Sequence, residues 1–232
     1  MQMGCHMLLL SDYMDKHDQK PESLFLDSGE VIHLSEDWEV MARIIQLHID
    51  HEKAHDVAYQ LLLEFGDLPS VIAQSYHSLL RIDGVTPGIA NSLLMINRAV
   101  TLVAEKRVQS RPALNNWNAI ETYCRSVIGF KKQQNFLAIY IDENFCPIRS
   151  DQLFRGTVDK LDVYPREVVS RALQLGANGI IVAKNVPSGR LTPTPCEIDL
   201  SERLQNACNV LDIDLADVIL VGKTGARSML KE

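Results

Sequence analysis

The chain has 232 residues, 46% of them hydrophobic, which is enough for one large domain or two small ones with real cores. Its formal net charge of −7 argues against a protein that binds DNA over its whole surface, and 6% aromatic residues leave few stacking platforms for single strands. The five cysteines form no CxxC pair and no apolar run is as long as a membrane span, so we expect a cytoplasmic protein without a disulfide framework.

The first half of the chain has the pattern of a small all-helical region. Residues 1–35 are polar and irregular, and the apolar stretch Met7–Leu10 is too short for a signal sequence. Further on, apolar residues recur at helical spacing, and Gly66 is suited to end a helix. The predicted helices span about 35–47, 50–65 and 67–72, followed by a helix, a tight turn and a helix around 79–90 that continues to about 107.

The second half alternates strands with helices. It follows a linker predicted at 109–116, which has no periodicity and contains a proline. Asn135–Asp142 has the two-residue period of a strand, and Gly179–Ala183 is a short apolar run typical of a buried strand. This alternation predicts an α/β domain. Its helices are predicted at about 117–128, 165–173 and 197–211, and its strands at 135–142, 147–154, 179–183 and 217–222.

One segment of the helical region matches a metal-binding pattern. His51-Glu-Lys-Ala-His55 has the His-Glu-x-x-His spacing that places two zinc-binding histidines on one helix face, with Glu52 as the base. His48 is at helical spacing from them, but Asp50 marks the predicted helix start. The region is too small to frame a peptidase cleft and no clear third ligand follows. We therefore favour a solvent-exposed helix face.

Two other segments have a weaker resemblance to binding motifs. The basic run from Lys106 to Lys132 is the richest candidate for contact with nucleic acid, and a solvated linker and helix face is the interpretation we prefer. Gly222–Ser228 lacks the Gly-x-x-x-x-Gly-Lys-Ser/Thr frame of a phosphate loop. We assign it no nucleotide role.

Five motifs lie along the chain in a characteristic order. They are Leu61–Leu68, Gly84–Ala90, Leu153–Val158, Val163–Val168 and Val186–Gly189. Their order and spacing resemble those of the RadC family over about residue 36 to the end. The resemblance implies a helical region with a helix-hairpin-helix, followed by a JAMM (MPN) α/β domain similar to cytidine deaminases. The family name reflects a historical link to DNA repair.

The resemblance and the periodicity together divide the chain into four parts. The fold class that they predict is α plus α/β. The predicted parts are an irregular segment at 1–35, a helical region with the helix-hairpin-helix at 36–108, a linker at 109–116 and a RadC-like JAMM/MPN domain at 117–232.

The resemblance also implies where a metal site would lie. In the family, two histidines in His-Asn-His-Pro-Ser-Gly and a later aspartate hold zinc, and a glutamate on an early strand moves the proton. At the histidine positions this chain has Lys184 and Val186, and at the aspartate position it has Glu197. Thr194 occupies the position of the family's serine, three residues before the aspartate, and Gln134 occupies the position of the catalytic glutamate.

These residue types do not suit zinc chemistry. Val186 has no lone pair, and Lys184 is a cation that repels a divalent ion. Gln134 has the shape of glutamate but no basic site. All seven histidines lie at or before His77, so the second half has none. We therefore expect no metal, no cofactor and no zinc-dependent hydrolysis; a Lys184–Glu197 ion pair across the pocket is a further hypothesis.

The tight turn of the helical region is the best nucleic-acid signal. Backbone N–H groups of a helix-hairpin-helix contact a phosphate, which requires small residues for close approach. The candidate positions are Gly84, Val85, Thr86 and Gly88. Thr86 adds a Cβ where the family has glycine, and no basic residue lies between Arg81 and Arg98. A packing role is the alternative to DNA binding.

The function expected from these patterns is that of a binding or scaffold module related to DNA repair, with a catalytically inactive JAMM domain. One alternative is a zinc hydrolase with atypical ligands or with the His51/His55 helix. Another is a protein that binds DNA without sequence preference. DNA through the helical region and a protein are the partners left open, whereas a membrane and a nucleotide are not expected.

Overall fold

The computed structural model of the chain describes residues 23–25, 31–33, 36–109, 116–155 and 163–230. Predictions on Met7–Leu10 and on most of the linker fall outside these residues, as does part of the Leu153–Val158 motif. The chain folds into two compact units, one up to Asn97 and the other from Arg98 onwards.

The first unit consists of helices preceded by two short strands. The two strands pair antiparallel within the segment that was predicted to be irregular. The sequence did not predict them, because a three-residue strand is too short to show a two-residue period. The elements are β1 (Ser23–Phe25), β2 (Val31–His33), α1 (Glu36–Ile45), α2 (His51–Phe65), α3 (Leu68–Ile72), α4 (Tyr76–Leu79) and α5 (Pro87–Gln109), the last of which continues into the second unit.

Local chemistry explains the ends of these helices. Gly66 ends α2 with a φ of +99°, and its N–H bonds to the carbonyl of Leu62 at 2.7 Å. The Asp67 carboxylate then accepts the N–H of Ser70 at 2.7 Å, which caps α3. The core of this unit contains fully buried apolar side chains from four helices, namely Met41, Ile45, Leu61, Leu79, Ile89 and Leu93.

The second unit has a five-stranded mixed sheet with helices on both faces. The strand order is β4-β3-β5-β6-β7; β5 and β6 are parallel and the other pairs are antiparallel. Its elements are α6 (Trp117–Cys124), which continues as a π-helical turn (Arg125–Gly129), β3 (Asn135–Ile141), β4 (Pro147–Arg155), α7 (Pro165–Leu175), β5 (Gly179–Asn185), α8 (Pro195–Asn209), β6 (Asp214–Val221) and β7 (Ala226–Ser228). The predicted α plus α/β fold class is confirmed.

The two faces of the sheet are covered by different helices. On β3, Phe136, Ala138 and Tyr140 pack with α7 and α8, whereas Leu137 and Ile139 pack with α6 and the end of α5. This alternation follows from the two-residue period of a strand. In the described ranges, no helix combines the length and the hydrophobicity needed to cross a membrane.

Candidate functional site

Three charged side chains meet at one end of the sheet, at the positions where the family would hold a metal, and we call this cluster of Lys184, Arg190 and Glu197 the pocket. Lys184 is near the end of β5 and is paired with Phe136 of β3. Gln134 comes two residues before Phe136, immediately before β3 begins at Asn135. Helix α8 begins beside this end, with Thr194 as its N-cap and Glu197 in its first turn. The fold therefore brings these predicted site residues to one region.

Glu197 is at the centre of the pocket. One carboxylate oxygen, Oε1, accepts a hydrogen bond from Lys184 Nζ at 3.2 Å. The other, Oε2, accepts the Thr194 N–H at 2.8 Å, the Thr194 hydroxyl at 2.9 Å and Arg190 Nη2 at 3.4 Å. The hydrogen bonds of Thr194 form a capping box at the start of α8. Glu197 is only 5% exposed, and both of its oxygens have donors.

Electrostatics keep Glu197 ionised. Burial by itself would raise the pKa of this carboxyl group, but the backbone and hydroxyl hydrogen bonds from Thr194 and the charge of Lys184 outweigh burial and lower the pKa below its usual value. The Lys184 side chain is 16% exposed. The pocket thus contains a largely buried ammonium–carboxylate pair.

The donor set does not fit a zinc ion. At the position of the second family ligand the chain has Val186, whose side chain is a branched alkyl group. Val186 is 7% exposed, and its backbone N–H donates to the Val221 carbonyl at 2.8 Å. The ammonium of Lys184 has no lone pair for a metal. Glu197 supplies one carboxylate, whereas a zinc site takes three or four protein ligands. No group of three or more His, Cys, Asp and Glu in the described part of the chain could hold a metal.

Sequence reasoning missed a buried amide network beside this pocket. Asn185 is fully buried; its Oδ1 accepts the N–H of Asn135 at 2.6 Å, and its Nδ2 donates to the carbonyls of Lys131 and Gln133 at 3.1 and 3.0 Å. These bonds hold the segment before β3 that carries Gln134. The sequence signals were a polar residue next to an apolar run and a match to the asparagine of the family motif His-Asn-His-Pro-Ser-Gly, and neither indicated which groups this side chain bonds.

Arg190 was also missed, because no pattern links it to Glu197. It lies in the connection between β5 and α8, and its side chain is 41% exposed. The turn that begins with the bond from Gly189 N–H to the Val186 carbonyl, at 2.8 Å, directs the chain back towards α8. The contact between Arg190 and Glu197 therefore depends on the path that the chain takes after this turn.

The tight-turn residues have packing roles in the helical unit. Gly84 has a φ of +78°, and a Cβ there would lie 2.5 Å from Val57 Cγ2. A Cβ on Gly88 would lie 2.9 Å from His48 Nδ1, and Val85 is buried. Thr86 Oγ1 accepts the N–H of Ile89 at 3.3 Å, so this N–H at the start of α5 already has an acceptor within the protein. These contacts support the packing alternative, and DNA binding by these residues stays a prediction.

The two histidines of the His-Glu-x-x-His segment lie side by side on α2. Their ring centroids are 4.3 Å apart. His55 Nε2 is 3.1 Å from Gln46 Nε2, and the His55 ring packs edge-on against Trp38 at 4.7 Å. His48 bonds to the Ser92 hydroxyl at 2.7 Å. Contacts within the helical unit thus engage both His55 and His48.

Charge differs sharply between the two halves of the sequence. Residues 1–97 contain five Lys and Arg against fifteen Asp and Glu, a formal charge of −10. Residues 98–232 contain eighteen against fifteen, a charge of +3. The helical half is therefore electrostatically unsuited to a polyanion.

Comparisons with known proteins agree with the fold of the second unit, which is that of an α/β domain of the JAB type. The family described as "RadC-like JAB domain" matches residues 114–232. A UPF0758 protein of Ruegeria pomeroyi is 29% identical over 215 residues, covering 93% of this chain and 95% of that protein. A UPF0758 protein of Rhodobacter capsulatus is 32% identical over 187 residues, covering 81% and 87%. The chain belongs to the RadC-like JAB domain family.

Proposed function

We propose that this protein is a non-hydrolytic member of its family, acting as a binding or scaffold module through its JAB domain. The observation that carries the proposal is the Lys184 ammonium, 3.2 Å from Glu197 at the family's metal-ligand positions. A cation fixed by the chain replaces the charge that a zinc ion would supply.

The proposal is supported by the loss of each chemical role. Hydrolysis by this type of site requires a metal-bound water and a base that accepts its proton. Gln134 has an amide where the base would be, and Val186 has an alkyl group where a ligand would be. A scaffold needs only the fold, which the packed sheet and its helices can maintain without a metal.

The link to DNA repair, which the family resemblance implies, would then operate through protein contacts. The −10 charge of residues 1–97 and the Thr86 cap both disfavour DNA binding by the helical region. We expect no retardation of duplex or branched DNA by the full chain at low salt. A shift that weakens steeply with added salt and on replacing Gly84 or Gly88 would support the DNA-binding alternative instead.

Elemental analysis of the untagged, purified full chain tests the proposal. We expect no stoichiometric zinc or other transition metal. About one equivalent of zinc that disappears in a Glu197→Gln variant would show a JAB-type site with atypical ligands. One equivalent that disappears in a His51→Ala variant would instead indicate a site on α2. Either result would overturn the proposal.

A further inference from the structure

The cations of the JAB pocket outnumber its carboxylates. Lys184 and Arg190 both contact Glu197, which leaves one net positive charge among the three side chains. Arg190 meets Glu197 at 3.4 Å, a long contact, and its side chain is 41% exposed. Part of its guanidinium is therefore available to another acceptor.

The Lys184 ammonium also has donor capacity beyond its ion pair. An ammonium has three N–H donors, and within the described residues its hydrogen-bond acceptor is Glu197 Oε1. The side chain is 16% exposed, so it is not fully enclosed by the protein. Val186 follows two residues after Lys184 and is 7% exposed.

The position of this pocket in the fold favours ligand binding. Strands β5 and β6 are parallel, and α8 connects them. Lys184 lies at the carboxyl end of β5, where α/β sheets generally bind ligands. Lys184 thus lies at the end of the sheet beside the start of α8, and Arg190 lies in the connection between β5 and α8.

We propose that this pocket binds a carboxylate of a partner peptide, either a C-terminal carboxylate or the side chain of Asp or Glu. Lys184 and Arg190 donate to the carboxylate, and Val186 packs against the adjoining apolar atoms. The inference rests on the proposed function, because a pocket that held zinc would use this space for the metal and its water.

A carboxylate suits the pocket better than a nucleic-acid phosphate. A single carboxylate brings one negative charge, which matches the single excess positive charge of the three side chains. A nucleic acid brings a row of phosphates, and a chain with a net charge of −7 repels it over most of its surface.

Synthetic peptides test the proposal with the full-length chain. The probes are an acetylated alanine tetrapeptide with a free C-terminal carboxylate, the same peptide with a C-terminal amide, and an amidated tetrapeptide containing one glutamate. Binding is followed from the backbone amide signals of residues 185–198 in heteronuclear NMR. We expect at least one carboxylate peptide to bind about tenfold more tightly than the neutral one, a factor that corresponds to about 1.4 kcal/mol.

Charge-removing variants with matched controls locate the interaction. Lys184→Gln and Arg190→Gln should each weaken the carboxylate peptide several-fold and leave the neutral peptide unchanged. Lys106→Gln removes an exposed lysine on α5, and Arg203→Gln removes an arginine that also pairs with one carboxylate, at 2.9 Å. Neither control should change the affinity. If Lys184→Gln does not fold, Arg190→Gln and the comparison of peptides decide the question.

Three results would overturn the proposal. The first is equal affinity for charged and neutral peptides, including no binding of either. The second is an Arg190→Gln variant that binds as the wild type does. The third is inorganic phosphate or a DNA duplex that shifts the same amides at lower concentration than the carboxylate peptides do. Zinc content separates the two proposals: a metal-free protein that ignores carboxylates refutes this inference only, whereas stoichiometric zinc refutes the proposed function.

Discussion

Replacing Glu197 by glutamine should destabilise the α/β unit by about 2–3 kcal/mol. Glutamine keeps one acceptor oxygen for the Thr194 cap but removes the negative charge that Lys184 and Arg190 contact. Breaking a fully buried ion pair costs about 3–5 kcal/mol, because the remaining charge has no partner. Lys184 is 16% exposed, so water reduces that cost. Charge-assisted hydrogen bonds, which contribute about 1.5–3 kcal/mol each, give an overlapping range.

Native-state hydrogen exchange at the amides of β5 and β6 measures this loss within the full chain, without assuming that both units unfold together. Asp199→Asn is the matched control, because Asp199 is on the same helix but pairs with Arg203 at the surface. Exposed pairs contribute about 0–1 kcal/mol, so the control should change little. In a double-mutant cycle with Lys184→Met, the coupling energy should be about 1–2 kcal/mol. A Glu197→Gln loss below about 0.5 kcal/mol, or no larger than that of Asp199→Asn, would refute the reasoning.

Two further predictions concern acid stability and the helical unit. Since the folded-state pKa of Glu197 is lowered, its ionisation stabilises the fold above the usual carboxyl pKa of 4.5, and this contribution is lost as the pH falls through the lower folded value. Unfolding measured from pH 7 to 3 should show a steeper acid loss for the wild type than for Glu197→Gln; equal slopes would contradict the assignment. Gly84→Ala should destabilise the helical unit by about 2–4 kcal/mol in urea unfolding, because it combines a positive φ with a 2.5 Å approach to Val57. Gly66→Ala also has a positive φ but meets no atom within 4 Å, so an equal loss in both variants would show that contact with Val57 is not the cause.

Much of the fold could be predicted because its patterns are local. The two-residue period of β3 predicted the strand, on which Phe136 and Leu137 are found to pack on opposite faces, and Gly66 marked the end of α2. Strand β5 was predicted to end at Ala183, but it continues to Asn185 because Lys184 pairs with Phe136 and Leu220 on the two neighbouring strands. A lysine at the end of an apolar run has no local feature that indicates such pairing.

The pocket was only partly predictable for a related reason. The motif order indicated that Lys184 and Glu197 occupy corresponding ligand positions, and the hypothesis that they pair required hydrogen-bonding reach, which their 3.2 Å separation satisfies. The contact with Arg190 depends on the turn after β5, and the role of Asn185 depends on a segment about fifty residues earlier. Interactions across such separations are set by tertiary structure and leave no periodicity in the sequence.

A zinc titration of the full chain in competition with a chromophoric chelator tests the central claim most directly. The matched positive control is a variant that restores the family residues, Gln134→Glu, Lys184→His, Val186→His and Glu197→Asp, and it should take zinc from the chelator. The wild type should leave the chelator saturated, because its pocket already contains a cation and lacks ligands. Binding of one zinc per wild-type chain, abolished by Glu197→Gln, would contradict the account.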